Sequence, residues 1–457
     1  MNIFRTKVTD YSSGKSELNR CLSALDLIVL GIGAIIGAGI FVLTGIVAAT
    51  AAGPAVVLSY AVAGIACSFA ALSYAELSAS IRGSGSAYNY TYASLGEMAA
   101  WVIGWSLLVE YGLGAAVVAI GWSGYVNDIF LSMGIVLPPN LIKTVAEGGF
   151  VNLPAVIIIL VLTAVLAMGV KQSARLTAII VFIKLAVIGI FMKTALPEVQ
   201  VTNWHPFMPF GWNGVIEGAA LVFFAFIGFD AVSTAAEEAK NPQKDLSIGI
   251  IGSLGICTFI YIVVSGLLTG IVPYTSLNSQ SPVADAVLNL GYQLTAEIIS
   301  FGAVAGLTSG VLIFMYGLSR VLYSMAGDGL LPKKYATVNA RTKTPLRIIL
   351  SNGLILSVIA GFCPIREVAE FVNIGTLAAF VMVCVSVIVL RRTQPHLERP
   401  FKTPFCPLIP VLGIFSCGYL MFHLPGITWV RFMVWMLIGL VVYFCYGFSH
   451  SNLNQKK

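Results

Sequence analysis

The sequence predicts an all-α, polytopic membrane protein with twelve transmembrane helices, in a five-plus-five inverted repeat with broken helices 1 and 6 and two peripheral helices. The first observation is composition: 58% of the 457 residues are hydrophobic and 10% are charged, against about a quarter charged in soluble domains. The second is a series of apolar runs long enough to cross a hydrocarbon core of about 30 Å. The third is that small residues interrupt the first and sixth runs.

The twelve apolar runs are separated by short polar segments. They span 26–50, 54–80, 98–128, 153–170, 174–195, 212–236, 246–271, 294–322, 346–362, 367–390, 408–424 and 428–448. Because the broken runs stand five apart, we predict two repeats, which must insert in opposite orientations since five is odd. The predicted divisions are the N-terminal segment 1–25, the repeats 26–195 and 212–390, the peripheral pair 404–448 and the tail 449–457.

Basic residues predict the orientation of the spans. If the N-terminus lies inside, 21 of the 26 Lys and Arg residues fall on the inner side, and cytoplasmic loops are enriched in these residues. We therefore expect a multi-pass protein of the cell (inner) plasma membrane with both termini cytoplasmic. Residues 1–25 lack a signal-peptide pattern. The basic residues are distributed among loops, so nucleic-acid binding has little support.

Cysteine and histidine distributions argue against an enzyme. The eight cysteines are scattered without a Cys-x-x-Cys pair, and all four histidines lie at loops or span ends. Such cysteines usually pack as small apolar residues, and no histidine within a span could hold a haem or a catalytic metal. We expect no cofactor and no metal. A channel would need a polar pore or a charged ring, and a receptor would need a larger soluble domain; neither is evident.

The interrupted runs predict a ligand site. The first break lies in Gly31–Phe41 and the second in Phe223–Val232. A glycine costs about 1 kcal/mol in a helix interior, and freed backbone groups cannot face lipid unsatisfied. Matched breaks in two halves are a sequence indicator of a transporter's substrate site. The alternative, close helix packing at small residues, would explain one cluster more readily than two matched ones.

The two breaks have opposite predicted polarity. We expect unwinding in the first at Ile36, Gly37, Ala38, Gly39 and Ile40. The amides of the following half-helix would then attract an anion. In the second break, carbonyls near Phe224, Ala225 and Ile227 would suit an ammonium group. The pair predicts a zwitterion, and an L-amino acid carries both charges on one carbon.

Three motifs carry a resemblance to a known family: Gly31–Phe41, the loop Gly83–Tyr92 with Gly96 and Glu97, and Gly228–Glu238 followed by Asn241 and Pro242. With these motifs the chain resembles the amino acid/polyamine/organocation permeases, most closely bacterial relatives of the cationic amino acid transporters. The resemblance implies ten core helices, two peripheral ones and alternating access. It implies that the substrate carboxylate meets backbone amides around Gly37 to Gly39. Many relatives carry Ser or Thr at Ala38, so recognition there would use the backbone alone.

Three ionisable residues lie deep within the predicted spans. Lys184 stands midway along span 5, where a lysine costs at least about 2.5 kcal/mol. In some proton-coupled members of the resembling family, a lysine amine occupies the cation site of sodium-coupled relatives, and Lys184 matches that position. The alternative is a structural ion pair. Glu110 would share the proton pathway or be a neutral hydrogen-bond partner, and Asp230 would transfer protons or cap a helix.

The predicted function is secondary active transport of L-amino acids by proton symport, with neutral or broad, including cationic, specificity. Exchange (antiport) and polyamine transport by the same fold are the alternatives. The expected partners are the substrate, a proton and the bilayer, and contact with a small membrane protein or a lipid stays open. Acids near the interfaces are interpreted as gate or surface residues: Glu76, Glu217, Glu237 and Glu238. The side-chain pocket candidates, which plain packing would equally explain, are Gly114, Phe224, Phe226, Ile227, Phe314 and Met315.

Overall fold

The protein is helical throughout the part of the chain that its computed structural model describes. The described residues are 5–6, 22–81, 86–169, 174–234, 239–339, 341–342 and 344–455. Within these ranges there are two isolated β-bridges and no strand. The predicted all-α fold class is therefore confirmed. Glu237 and Glu238, the loop residues Gly83 to Gly85 and most of segment 1–25 lie outside the described residues.

The first half of the chain begins with a helix whose start the sequence encodes. Ser23 and Asp26 form a capping box, in which Asp26 Oδ2 accepts from the Ser23 amide at 2.8 Å. This pairing satisfies amides that a helix start leaves free. The helices are α1 Ala24–Ile35, α2 Thr44–Val47, α3 Val56–Ser80, α4 Ser86–Ser94, α5 Glu97–Ser132, α6 Leu153–Ala167 and α7 Ala174–Ala195.

The second half uses proline to start several helices. Pro242 and Pro282 occupy the first helical positions of their helices, where the missing proline N–H costs no hydrogen bond. The helices are α8 Gly211–Val222, α9 Ala231–Thr234, α10 Pro242–Ile271, α11 Pro282–Asn289, α12 Gln293–Gly327, α13 Leu346–Phe362, α14 Ile365–Thr393, α15 Leu408–Phe422, α16 Gly426–Val442, α17 Phe448–His450 and α18 Asn452–Gln455.

Seven stretches of the described residues are long and apolar enough to cross a membrane, and five shorter apolar helices accompany them. In order, they account for the twelve predicted runs. One stretch, Gly39–Ser80, continues from the second half of run 1 into run 2, and the chain turns at Gly53, where φ is +64°. The most apolar window of Glu97–Ser132 is 89% buried and that of Gly426–His450 is 22% buried. Helix α5 is therefore central and α16 peripheral.

Helix packing places the first broken run against α10 and α7 and the second against α3. Helix α1 packs on α10 and α7, α3 packs on α10 and α8, and α12 packs on both α5 and α7. Gly306 on α12 permits the close approach to α7, because a Cβ there would lie 2.9 Å from Cε and Cγ of Lys184. The broken runs are thus surrounded by continuous helices that hold them in place.

The interpretation of Glu76 as a surface residue is wrong, and its role as a gate residue stays a prediction. Its carboxylate is 2% exposed and accepts from Arg391 at 2.8 and 2.6 Å and from the Thr403 amide at 2.8 Å. It ties the end of α3 to α14 and to the segment before α15. Glu217, by contrast, is 40% exposed and pairs with Arg366 at 3.0 Å, as expected of a surface residue.

Candidate functional site

The first break is shorter than the sequence predicts. Helix α1 ends at Ile35, and Ile36 is extended with φ −71° and ψ 106°. Ala38 is already helical, and Gly39–Leu43 forms a π-helix. Ile36 and Gly37 therefore make up the break, while Ala38, Gly39 and Ile40 belong to the first turn of the second half-helix.

This shorter break still presents free amides. The first backbone bond of the second half-helix runs from the Phe41 amide to the Gly37 carbonyl, at 3.4 Å. The amides that precede Phe41 have no acceptor inside the helix, as at any helix start. Gly37 faces open space, since a Cβ there would meet no heavy atom within 4 Å. The break therefore combines free N–H groups with room for an anion.

Ala38 contributes no polar side chain to this break. It is fully buried, and its methyl group faces Gly121 of α5, where an added Cβ would stand 3.7 Å away. The structure thus places an apolar contact at the position where a hydroxyl would otherwise lie. Any ligand at the first break is held by backbone groups on this side.

The second break requires glycine. Helix α8 passes into a 3₁₀ turn, Phe223–Phe226, and Ile227 is extended. Gly228 has φ +118°, a conformation that L side chains rarely adopt. A Cβ at Gly228 would also lie 2.8 Å from the Ala34 carbonyl oxygen. Close approach of the two broken runs therefore depends on Gly228.

The two breaks are in direct contact. A Cβ on Gly39 would overlap the Cα and Cβ of Ala225. The start of the half-helix that follows the first break therefore lies directly against the second break. Both Ala225 and Gly39 are buried. The sequence analysis placed these residues at one site, and the structure brings them together.

Tyr261 of α10 connects the broken runs through its hydroxyl. The hydroxyl oxygen lies 2.9 Å from the Ile35 carbonyl and 2.8 Å from the Ala225 carbonyl. One O–H carries one proton, so it donates to one carbonyl at a time. The Phe224 carbonyl accepts from the Ile227 amide at 3.2 Å. Of the three carbonyls predicted to bind an ammonium group, Phe224 thus has the Ile227 amide as a donor and Ala225 has the Tyr261 hydroxyl within reach. Each carbonyl oxygen can accept a second hydrogen bond.

Lys184 is directed at the end of α1. Its Nζ donates to the carbonyls of Gly33 at 2.8 Å and Ile36 at 2.7 Å, and the side chain is fully buried. These carbonyls belong to the last turn of a helix, where intrahelical donors are missing. Among the described residues the partners of Lys184 are backbone carbonyls and not an acid, so the alternative of a structural ion pair gains no support.

The two deep acids form a separate group with Tyr111. The Tyr111 hydroxyl donates to Asp230 Oδ2 at 2.5 Å, and the Ser86 hydroxyl lies 3.5 Å from the same oxygen. Glu110 precedes Tyr111 on α5, is 1% exposed and lies near enough to Asp230 for two carboxylate charges to repel each other. Neither oxygen of Glu110 has a donor at hydrogen-bonding geometry within the described part of the chain. The three coupling candidates are therefore divided between the end of α1 and this acid pair.

The pocket candidates fall into two groups as well. Phe314 packs on Gly114, where an added Cβ would lie 3.2 Å from the Phe314 ring. The ring centroids of Phe314 and Tyr111 are 6.2 Å apart. Phe226 instead joins Tyr60 and Tyr261, with centroids 6.2 and 5.4 Å away. Met315 is buried at 3% exposure. The structure supports a shared wall for Gly114 and Phe314 and places Phe226 in a separate aromatic cluster.

Sequence reasoning missed several polar residues that bind the broken backbone. Asn373 donates to the carbonyls of Ala220 and Leu221 at 2.8 and 2.9 Å, and the Tyr60 hydroxyl donates to the Gly39 carbonyl at 3.1 Å. The signal in the sequence was weak: Tyr261 is the tyrosine of the run 246–271, whereas the run 54–80 holds both Tyr60 and Tyr74. Tyrosines in apolar runs are too common a feature to single out.

The chain is similar in sequence to known permeases and transporters. The sequence model of the amino acid permease family matches residues 22–444. A methylthioribose transporter of Bacillus subtilis is 46% identical, over 99% of this chain and all of the relative. The branched-chain amino acid permease BcaP of the same organism is 48% identical, over 97% of this chain and 96% of its own. Human cationic amino acid transporter 4 is 32% identical, over 99% and 91%.

Proposed function

We propose, from the membership of this chain in the amino acid permease family, that it carries L-amino acids by alternating access. A member of this family is a multi-pass membrane transporter and not an enzyme. The observation that carries the proposal is the contact between the two breaks, with free amides beside open space at Gly37 and the Ala225 carbonyl in the second break. A carboxylate at the amides and an ammonium at the carbonyls would place an α-amino acid across the junction.

The side-chain end of the site favours a neutral substrate. Ala38, Gly114 and Phe314 give it an apolar lining, and Asp230 already accepts from Tyr111. A cationic side chain would need an acid whose charge is available, and burial of Glu110 beside Asp230 disfavours two negative charges there. We therefore propose branched-chain and other neutral amino acids as the first substrates, as for the relative named branched-chain amino acid permease. Cationic amino acids would follow, and polyamines would be poor substrates.

Methylthioribose is the second candidate substrate, because the methylthioribose transporter of Bacillus subtilis is similar to this chain along its whole length. This thiosugar has neither a carboxylate nor an ammonium group. It would leave the free amides of the first break without an anionic partner. The geometry therefore favours the amino acid, and a direct comparison of the two ligands decides between them.

We further propose that transport is coupled to protons through Lys184. Charged, its amine holds the Gly33 and Ile36 carbonyls at the end of α1. On losing its proton, the amine keeps fewer donors and no charge, so α1 is released to move. The acid pair of Glu110 and Asp230 would exchange the proton with one face of the membrane. Exchange of one amino acid for another remains the alternative mechanism.

The proposed topology follows the sequence analysis. Both termini face the cytoplasm of a cell bounded by the plasma membrane, and repeats 26–195 and 212–390 are inverted copies. Helices α15 and α16, within 404–448, would then lie outside the transport core. The charge distribution of the loops supports this orientation. Labelling of single cysteines introduced on either side of the membrane would test it.

Substrate choice is tested by thermal shift of the purified protein. Ligands that bind only the folded state raise the melting temperature with concentration. We expect L-leucine, L-isoleucine and L-valine to give larger shifts than L-arginine, putrescine or methylthioribose. A shift with methylthioribose and none with any amino acid would overturn the amino acid assignment. No shift with any of these ligands, together with no uptake in proteoliposomes, would overturn the proposed function.

Proton coupling is tested with Lys184→Ala in proteoliposomes. We expect loss of uptake driven by a pH gradient, while counterflow exchange of the same amino acid persists at a reduced rate. Lys193→Ala is the matched control, because Lys193 lies on the same helix α7 with its side chain exposed. If the pH gradient drives uptake by Lys184→Ala at the wild-type rate, the coupling proposal is wrong, whereas the amino acid assignment survives.

A further inference from the structure

A crevice of about 730 Å³ opens beside the start of α10, away from the broken runs. Its lining comes from the first three turns of α10 and from a segment that precedes α15. The lining residues are Lys244, Ser247, Ile248, Ile251, Gly252, Pro400 and Phe401. Neither the sequence analysis nor the proposed transport mechanism uses this crevice.

The crevice is polar at one end and apolar at the other. Lys244 stands near the start of α10, and Ile251 lies seven residues further along, about 10 Å at the helical rise. Lys244 is exposed, and Ile248 and Ile251 are 39% and 40% exposed. This order of charge and then hydrocarbon matches the order of groups along a phospholipid at a membrane surface.

Ser247 adds an unused hydrogen-bonding group to the polar end. It is 4% exposed, and its hydroxyl has no partner among the described residues. A serine inside a helix commonly donates to the carbonyl four residues earlier, and here it does not. The adjacent acid, Asp245, accepts from the Asn241 amide at 3.0 Å and serves the helix start. Within the described ranges of the chain, Lys244 and Ser247 thus remain to meet a ligand.

The opposite wall is held rigidly. Pro400 and Phe401 stand three and two residues before Thr403, whose amide donates to the buried Glu76 carboxylate at 2.8 Å. Arg399, directly before Pro400, donates to the carbonyls of Leu390 and Gln394 at 3.0 and 2.8 Å. These bonds fix the wall, so the crevice is present before any ligand arrives.

We propose that this crevice binds an anionic glycerophospholipid. Its phosphate would meet the Lys244 ammonium and the Ser247 hydroxyl, and an acyl chain would lie along Ile248, Ile251 and Phe401. Basic crevices at the cytoplasmic ends of membrane helices suit such headgroups, and the proposed orientation puts the start of α10 at that surface. The volume exceeds what a free phosphate ion needs. A lipid here would join α10, which bears Tyr261, to the segment fixed by Glu76.

The experiment measures melting temperature in a neutral detergent with added dioleoylphosphatidylglycerol, dioleoylphosphatidylcholine or sodium phosphate. For wild type we expect a saturable rise with phosphatidylglycerol and a smaller one with phosphatidylcholine. Lys244→Gln should raise the half-saturating concentration of phosphatidylglycerol about five- to tenfold, as expected for one lysine at an anionic headgroup. Lys240→Gln is the matched control, since it removes the same charge four residues earlier, outside the crevice lining. Phe401→Ala should weaken the lipid effect without altering charge.

Three results would overturn the proposal. If phosphatidylglycerol and phosphatidylcholine raise the melting temperature equally, in wild type and in Lys244→Gln alike, the crevice does not recognise an anionic headgroup. An equal shift with sodium phosphate at the same concentration would mean that a free anion binds and the acyl chain is irrelevant. A melting temperature that Lys244→Gln lowers equally with and without lipid would assign Lys244 to protein stability. The shift with L-leucine should stay unchanged in Lys244→Gln, which separates this site from the transport site.

Discussion

Replacing Tyr261 by phenylalanine should weaken the connection between the two broken runs. The substitution keeps the ring against Tyr60 and Phe226 and removes a hydroxyl that lies within 2.9 Å of both the Ile35 and Ala225 carbonyls. At least one buried carbonyl then loses its donor, which costs about 1–3 kcal/mol. A cost of this size shifts the equilibrium away from the joined state by about 5- to 150-fold.

The assay has two measurements. The first is the affinity for L-leucine by thermal shift, which should fall if leucine binds the joined state. The second is labelling of Cys257 by N-ethylmaleimide, quantified by peptide mass spectrometry. Cys257 is fully buried and lies one helical turn before Tyr261 on α10. Opening of the junction should expose it, so Tyr261→Phe should be labelled faster than wild type.

Tyr125→Phe is the matched control. It also deletes a buried hydroxyl, which donates at 2.6 Å to the Phe41 carbonyl of the first broken run. We expect a lower melting temperature without the faster labelling of Cys257. If the two variants have the same leucine affinity and the same labelling rate, Tyr261 does not connect the breaks and the reasoning is refuted.

Three further predictions concern the fold around the site. Gly39→Ala should abolish leucine uptake, measured in proteoliposomes, because its methyl group would overlap Ala225; wild-type uptake would contradict the close contact. Glu76→Gln should lower the free energy of unfolding by about 3 kcal/mol, as for a broken buried ion pair. Glu367→Gln is the control, because Glu367 is 49% exposed in its ion pair with Arg431 and its loss should cost under about 1 kcal/mol. Equal melting temperatures of the two variants would contradict this prediction. Burial raises the pKa of the Asp285 carboxyl, so this carboxyl holds a proton in the folded protein that it releases in the unfolded chain. The free energy of unfolding therefore falls as pH rises from about 4 through the pKa of Asp285 in the folded protein. The melting temperature of Asp285→Asn relative to wild type should therefore increase with pH, and a constant difference would refute the assignment.

Much of the architecture could be predicted because it depends on local sequence. The apolar runs, the capping pair Ser23 and Asp26, and the prolines at Pro242 and Pro282 each act over a few residues. The positions of the two breaks were predictable for the same reason, since glycine lowers helix stability wherever it stands. The extent of the first break was not. Ala38 and Gly39 fold into helix there because surrounding residues hold the second half-helix in place.

The candidate site was predictable in its backbone and less so in its side chains. Lys184 was recognisable because a charge within a span is costly. Its actual partners, the carbonyls of Gly33 and Ile36, lie about 150 residues away in the chain and no periodicity indicates them. The burial of Glu76 could not be foreseen for a related reason: its partner Arg391 stands at the distant end of α14, and that pairing explains a carboxylate buried so deeply.

The sequence by itself determined that this protein is a helical membrane transporter with two interrupted helices, because hydropathy and glycine placement act locally. The tertiary structure decided what those interruptions contact: Gly228 against Ala34, Gly39 against Ala225, and Tyr261 between both breaks. Such contacts depend on which helices lie side by side, and that arrangement results from packing many apolar faces at once. A residue's neighbours across the bundle are therefore not encoded in its own stretch of sequence.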